Sequence, residues 1–518
     1  MIRALLTVST GTLASRLLGF VRDSLVAALL GAGPVADAFL VAFQLVNVVR
    51  RLLTEGALNA ALVPAWLNAR ETEGTEAAAA FAGRVLGTVS AALVVAAALI
   101  GLLMPLVITA LAPGFVGRDE LRLAVDDARL MLPYLAFAGP VTVMMALLNA
   151  QGRFALTAFS PVLFNIALIA VTGLLLFRRQ DTASAAMMLA AAVGIAGLLP
   201  LSILLLRDGS RHAKSLGIAF DAPMREFLGK AVPGMIASSG PQLLMVAAAV
   251  IASQTPSSVS WLYFANRLIE LPLGMVGVAI GAILVPEMTR ALRADDPSAI
   301  AHVESRGIEL AMGLALPATL GLIVLSEPIV GMLFEHGAFA SVDAAATART
   351  LTWLTLALPA HVLTKALSPA FFAREDTITP LLATLKGVAI AIVSAVLLGH
   401  LFGAAGIAAS IALGAWSNAY TLGRKATETF GFSIDDAARR RLPRVVGAAL
   451  AMGGLLWLKA RFVLPLATDA PAVFQAAVLA VLIAGSIATY GLFLWLFGVV
   501  GWHEAVSAIQ QRRGGLRG

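Results

Sequence analysis

The sequence predicts an all-α polytopic membrane protein of about fourteen transmembrane helices, arranged as two parallel six-helix lobes around a central cationic cavity plus two C-terminal helices. Three observations predict it. Of 518 residues, 59% are hydrophobic and only 13% are charged, whereas a soluble domain carries about 25% charged residues. Apolar stretches of spanning length follow one another along almost the whole chain. One stretch near residue 42 returns in similar form near residue 264.

A spanning helix needs about 20 mostly apolar residues. Breaks at charged and Gly/Pro clusters divide the chain into segments at 4–30, 36–68, 77–111, 122–151, 155–177, 184–206, 224–253, 257–290, 304–334, 343–372, 377–401, 403–425, 442–465 and 472–500. Alternate loops differ in charge. One side collects about 22 Lys and Arg and the other about 8, which places both termini in the cytoplasm. The start of the chain lacks the compact apolar core and A-x-A pattern of a signal peptide, so it reads as the first span. Cys is absent, which excludes a disulfide framework and any Cys-based metal site. The net charge of +7 is spread over short loops. Nucleic-acid binding would need one contiguous basic face, so membrane lipids are expected as partners and nucleic acid is not.

The repeat is legible in two places. AFQLVNVVRRLLTEGALNAALVPAW (42–66) and FANRLIELPLGMVGVAIGAILVPEM (264–288) both run through a Gly-containing apolar helix to LVP, at an offset of 222. ALLNAQGRFALTAFSP (146–161) resembles ALSPAFFAREDTITP (366–380) in its small-residue helix end, basic turn and closing Pro. That spacing covers about six helices, an even number, so the copies share one orientation. The predicted lobes are 1–210 and 220–428, followed by two additional helices at 440–500 and a cytoplasmic tail at 501–518. Two similar lobes around a midplane cavity suit a transporter.

Charge inside these spans carries the function. A charge at a membrane-helix centre is unfavourable by about 2.5–3.5 kcal/mol on insertion scales. Yet SRLLGFVRDSLVAALLGAG (15–33) keeps Arg16, Arg22 and Asp23, and Arg50, Arg51 and Arg267 also lie deep. On the helix over 36–68, Gln44, Asn47, Arg51 and Glu55 share a face about 80° wide, with Arg50 at its edge. Internal pairing accounts for part of this: Arg22 with Asp23 or Asp37, Arg51 with Glu55, Arg267 with Glu270. The arginines still outnumber the deep acids. A guanidinium offers a planar fork of donors that matches phosphate and carboxylate oxygens, and it stays charged when partly desolvated. The cavity is therefore expected to hold an anionic head group. Gly19, Gly31, Gly33 and Gly56 serve either bends or helix packing there.

Other signals are weaker. None of the six His has metal-ligand spacing, and no GxxxxGK[ST] occurs. His361 and Lys365 are one turn apart and read as a packed helix end or an ion site. Arg374, Glu375 and Asp376 read as a turn, with the two acids in a solvated loop. Two rival classes stay open on the residues alone. An exporter of drugs or polysaccharide units would favour acidic coupling residues. A membrane enzyme acting on lipid-linked sugars would need paired acids or a metal site, and neither is found.

SRLLGFVRD, GAGPVADAFLVAF, NVVRRLLTEGALNAALVP, LNAQGRFALTAFSPVLFNIA, YFANRLIELPLGMVGVAIGAILVP, LFEHGAFASVDA and SPAFFAREDTITP resemble, in order and along the whole chain, the motifs of the MurJ (MviN) family of bacterial lipid II flippases. That family belongs to the exporter superfamily that includes the MATE multidrug exporters. The resemblance implies a flippase, not an enzyme. It would translocate lipid II from the inner to the outer leaflet of the cytoplasmic membrane by alternating access, for cell-wall synthesis. It implies Arg16, Arg22, Arg50 and Arg267 as substrate-binding residues, with Ser15, Asp23, Asp37, Arg51 and Glu55 supporting or gating, and no metal. The family pattern favours Arg50 over Arg51, the reverse of the helical wheel. The chain departs from that pattern at Gln44, where many relatives carry Lys, and at Val46, where Pro is frequent. The last two helices would form a lipid-facing groove for the polyprenyl tail. No cofactor is implied, with coupling to the membrane potential or a cation. The expected state is a monomer, with the cell-division or elongation machinery as candidate partners.

Overall fold

A computed structural model describes residues 2–54, 57–178, 180–206, 217–238, 240–293, 297–372, 374, 376–467 and 470–499. All regular structure among these residues is helical. In order the elements are α1 (Ile2–Leu30), α2 (Pro34–Thr54), α3 (Ala57–Thr72), α4 (Thr75–Leu102), α5 (Met104–Leu111), a 3-10 turn (Pro113–Phe115), α6 (Asp119–Met131), α7 (Pro133–Ala150), α8 (Phe154–Arg178), α9 (Thr182–Ala196) and α10 (Leu198–Leu204). There follow α11 (Ala222–Ser238), α12 (Gly240–Ala252), α13 (Ser258–Arg293), α14 (Pro297–Val324), α15 (Ser326–Phe334), α16 (Ser341–Thr355), α17 (Ala357–Phe372), α18 (Ile378–Phe430), α19 (Asp436–Ala467) and α20 (Ala472–Leu496). Eight of the described helical stretches are long and apolar enough to cross a membrane.

Several predicted segments are broken helices. The 77–111 segment divides into α4 and α5, and 122–151 into α6 and α7. Prolines sit where such breaks begin a new helix, at the start of α5 and at the first position of α7. Proline lacks the N–H that a first turn does not need, and its fixed φ suits that position. The opposite case is α18. Two predicted spans run on as 53 helical residues, with one non-helical residue inside, Gly403 at φ 58° and ψ −138°. Side chains avoid that region, and glycine does not. The chain reverses there, because Gly387 lies against Gly414 and Lys386 donates to Thr421.

The helix bounds repeat. Thr75, Met104 and Asp119 begin helices, and so do Pro297, Ser326 and Ser341, each 222 residues further on. Phe154 and Ile378 begin α8 and α18 at an offset of 224. α19 and α20 follow the second copy. Residues 501–518, the predicted tail, lie outside the described residues.

Packing divides the chain differently from the repeat. One compact unit comprises residues 1–264 with 334–343, and the other 265–333 with 344–518. In the first, α1 packs along α8, α2 along α6, and α4 along α7. Its core includes Leu58, Leu62, Trp66, Phe81, Val85, Leu147 and Phe227. α11 joins this unit by packing on α3. Asp181 caps α9 by accepting from the Ser184 N–H at 2.9 Å, a bond that holds its carboxyl below the usual carboxylate range.

In the second unit, α17 packs on α18, and α14 on both α17 and α19. Its charged cluster lies at helix ends. Arg374 donates to the Ala370 carbonyl at 2.7 Å, lies 3.7 Å from the Glu304 carboxylate, and places its guanidinium 3.9 Å from the Phe430 ring. The Asp435 N–H donates to Ser305 at 2.8 Å, and Arg441 lies 3.7 Å from Glu309. The turn that the sequence left to solvent is thus tied down at Arg374. Asp376 accepts from the N–H groups of Ile378 and Thr379 and starts α18, while Glu375 lies outside the described residues. Tyr490 on α20 donates to the Gly313 carbonyl at 2.8 Å. His361 is half-buried and Lys365 exposed, one turn apart on α17.

Candidate substrate-binding site

α1 is apolar nearly all round, so its polar residues need partners inside the protein. Arg22 is 7% exposed. Its Nε and Nη2 donate to Asp23 Oδ1 at 2.9 and 2.7 Å, and its Nη1 donates to Asn165 Oδ1 on α8 at 3.0 Å. Phe43 and Phe164 flank the guanidinium, with ring centroids at 5.2 and 5.9 Å. Tyr263 donates to Asp23 at 3.4 Å. Of the two pairings open in the sequence, Arg22 takes Asp23. Asn165 closes the cluster by donating through Nδ2 to the Ser15 carbonyl at 3.0 Å and to Ser15 Oγ at 3.4 Å.

Arg16 is half-buried, one to two turns before Arg22 on the same helix. Arg50 and Arg51 are half-buried on α2, and Arg50 donates through Nε and Nη2 to Asn47 Oδ1 at 3.3 and 3.2 Å. Arg22 and Arg50 both lie within electrostatic reach of buried Tyr134, which brings the α1 and α2 arginines to one region. Gln44 is half-buried on the same helix. Glu55 lies outside the described residues. Arg267, in the second compact unit, pairs with Glu270 at 2.8 Å, each side chain 20% exposed. Asn165 escaped sequence reasoning. Its signal was a lone amide in an otherwise apolar span, which in a membrane helix calls for a partner.

Asp37 has a different role. It is 2% exposed at the start of α2 and accepts from the Ser260 N–H at 2.9 Å and from the Ser260 hydroxyl. It thereby satisfies an N–H in the first turn of α13, which no intrahelical carbonyl reaches. Around it the first compact unit is closed by further contacts. The Ala338 N–H donates to the Ala28 carbonyl at 2.8 Å, the Gly114 N–H to Ser253 Oγ at 3.1 Å, and Trp261 Nε1 to Asp343 at 3.1 Å. Phe264 stands 5.0 and 5.5 Å from Phe334 and Phe339, and Phe20 stands 5.9 Å from Phe334. Gly31 (φ 69°) and Gly337 (φ 60°) meet across this closure. A Cβ on Gly31 would stand 2.6 Å from the Ala338 oxygen, and one on Gly337 would collide with the Ala28 carbonyl.

An internally duplicated helical membrane fold with guanidiniums held in mid-helix defines a polytopic transporter. Comparison with known proteins narrows the class. Residues 26–470 match the family model described as lipid II flippase MurJ. A probable lipid II flippase MurJ of Rhizobium meliloti (strain 1021) is 36% identical over 522 residues, covering 99% of this chain and 97% of that protein. The lipid II flippase MurJ of Burkholderia cenocepacia is 32% identical over 472 residues, covering 89% and 90%. The chain belongs to the MurJ lipid II flippase family. A solved lipid II flippase MurJ in an inward closed conformation shares the fold, with a TM-score of 0.76 at 22% identity over 95% of this chain and 98% of that one. An inward-facing MATE-family multidrug transporter of the MOP superfamily shares it at a TM-score of 0.67 and 14% identity, over 85% and 98%.

Proposed function

We propose that this protein moves lipid II from the inner to the outer leaflet of the cytoplasmic membrane by alternating access, with both termini cytoplasmic. Family membership supports the substrate. The observation that carries the mechanism is the guanidinium of Arg22, buried in the protein yet, among the described residues, only partly used. A lipid-linked diphosphate is the kind of group for which such a fork is kept. Arg16 and Arg50 add charge in the same half of the chain, and Ser15, Asp23 and Arg51 support them. Arg267 enters this reading through the family pattern alone. The contacts around Asp37, Ser260 and Gly337 act as the outer gate, which opens when the head group is released. The polyprenyl tail stays in lipid, along the groove expected of α19 and α20. An inside-negative potential helps an anionic head outward by about 2.3 kcal/mol per charge per 100 mV. It also helps the emptied, positively charged site return, so the membrane potential or a coupled cation supplies the drive without a cofactor. The protein works as a monomer, with the cell-division or elongation machinery as its protein partners.

The test is depletion in the native host, with lipid II assayed by a probe confined to the outer face. Lipid II is expected to accumulate out of the probe's reach. Wild type should restore access. Arg22→Ala at equal membrane level should fall short by about 10- to 100-fold, the weight of a hydrogen bond to a charged group. Unchanged outer-face lipid II after depletion, in a host without a second flippase, overturns the reading and turns attention to other anionic lipid-linked substrates.

A further inference from the structure

We propose that Asn165 is a positioning residue for the substrate anion: it aims the Arg22 fork and ties that aim to the backbone of α1. This rests on the reading that Arg22 binds the lipid-linked diphosphate. Asn165 lies on α8, 6% exposed, and joins two points of α1 seven residues apart. Its orientation is fixed by chemistry. A guanidinium has no acceptor and a carbonyl no donor, so the amide oxygen faces Arg22 and the amide nitrogen faces Ser15.

Counting donors shows what the arrangement leaves open. Arg22 carries five N–H groups. Asp23 takes the one on Nε and one on Nη2, and Asn165 takes one on Nη1. Among the described residues, one N–H then remains on each terminal nitrogen. Donors left on both terminal nitrogens are what a guanidinium offers an oxyanion. Asp23 alone would leave the guanidinium free to pivot about the Asp23 carboxylate. Asn165 supplies a second anchor from another helix. Because the same amide holds the Ser15 carbonyl, any shift of α1 against α8 re-aims the fork. An aspartate here would accept from Arg22 but not donate to Ser15, and a leucine would do neither.

The experiment uses full-length protein in nanodiscs, with lipid II affinity and thermal midpoint measured side by side. Asn165→Leu is expected to lower affinity at least about tenfold with little change in Tm, and Asn165→Gln, which keeps both bonding functions, to recover most of the loss. Asn165→Asp should fail like the leucine, and it carries the test if the leucine variant does not accumulate. In an Arg22→Ala background, Asn165→Leu should add nothing, because the two act as a unit. Parent-like affinity of both Asn165→Leu and Asn165→Asp, or a loss that adds in full to that of Arg22→Ala, overturns the proposal while leaving Arg22 as a ligand. Parent-like affinity of Arg22→Ala removes the substrate reading of Arg22, and the proposal with it.

Discussion

Arg22 and Arg374 are both inward-turned arginines, and they are held in opposite ways. Arg22 sits in mid-helix, with one acid next to it in sequence and one amide from a neighbouring helix. Arg374 sits in a turn between helices, bonded to its own helix end, stacked on Phe430 and near the buried carboxylate of Glu304. Among the described residues, the first arrangement keeps donors in reserve. The second joins α14, α17 and the end of α18, with a ring covering the face of the guanidinium. In the proposed reading the same residue type is a ligand where its fork is left open and a rivet where it is covered. The duplication makes the contrast sharper. The helix bounds recur at 222, but the register of Arg22 is occupied in the second copy by Leu244. At this position the scaffold was copied and the charge was not.

The largest effect expected from this contrast is on stability. Arg374→Ala strands the Glu304 carboxylate, so unfolding should become easier by about 3 kcal/mol. That would be read as a fall in Tm of the detergent-purified protein. Per folded molecule, lipid II flipping should persist. Equal loss of flipping and of folded protein at Arg22→Ala would erase the distinction between ligand and rivet.

The closure around Asp37 provides a third kind of site, which the proposed cycle requires to open. Gly337→Ala places a methyl group against the Ala28 carbonyl at a positive φ, a strain of about 1–3 kcal/mol against the closed form. The chain has no native cysteine, so a single Cys at Ala36, buried beside Asp37 at 1% exposure, reports the gate. Its labelling by an impermeant thiol reagent should rise several-fold. Ser260→Ala should act in the same direction more weakly, by about 1 kcal/mol, since Asp37 keeps the backbone N–H of residue 260. Labelling unchanged in both variants would show that the phenylalanine cluster alone keeps the gate shut.

Much of this was legible in the sequence. Hydropathy marked the helices, and the two LVP endings revealed the duplication that the helix bounds display. Deep arginines stood out because the bilayer disfavours them. Partnerships were less visible. Nothing local links Asp37 to Ser260, which are 223 residues apart, or Arg22 to Asn165, which are 143 apart. A helical wheel weighs angle alone and so favours Arg51. Arg50, at the edge of the polar stripe, turns back to Asn47 within its own helix, as a long flexible side chain can. Arg374 was read as a turn residue because its apolar cover, Phe430, arrives from the far end of α18.

The reversal at Gly403 bears on how the protein is made. No Asp, Glu, Lys or Arg occurs between residues 387 and 423. The turn offers no hydrophilic loop to be threaded to the far side, and the charged residues of the two arms, Lys386, Arg424, Lys425 and Glu428, all lie far from it. The two arms of α18 are therefore expected to enter the bilayer during synthesis as one hairpin, each supplying the other's close packing face at Gly387 and Gly414. A residue with a side chain at 403 would be felt first at the ribosome, as a failure of insertion, before any lipid could be moved.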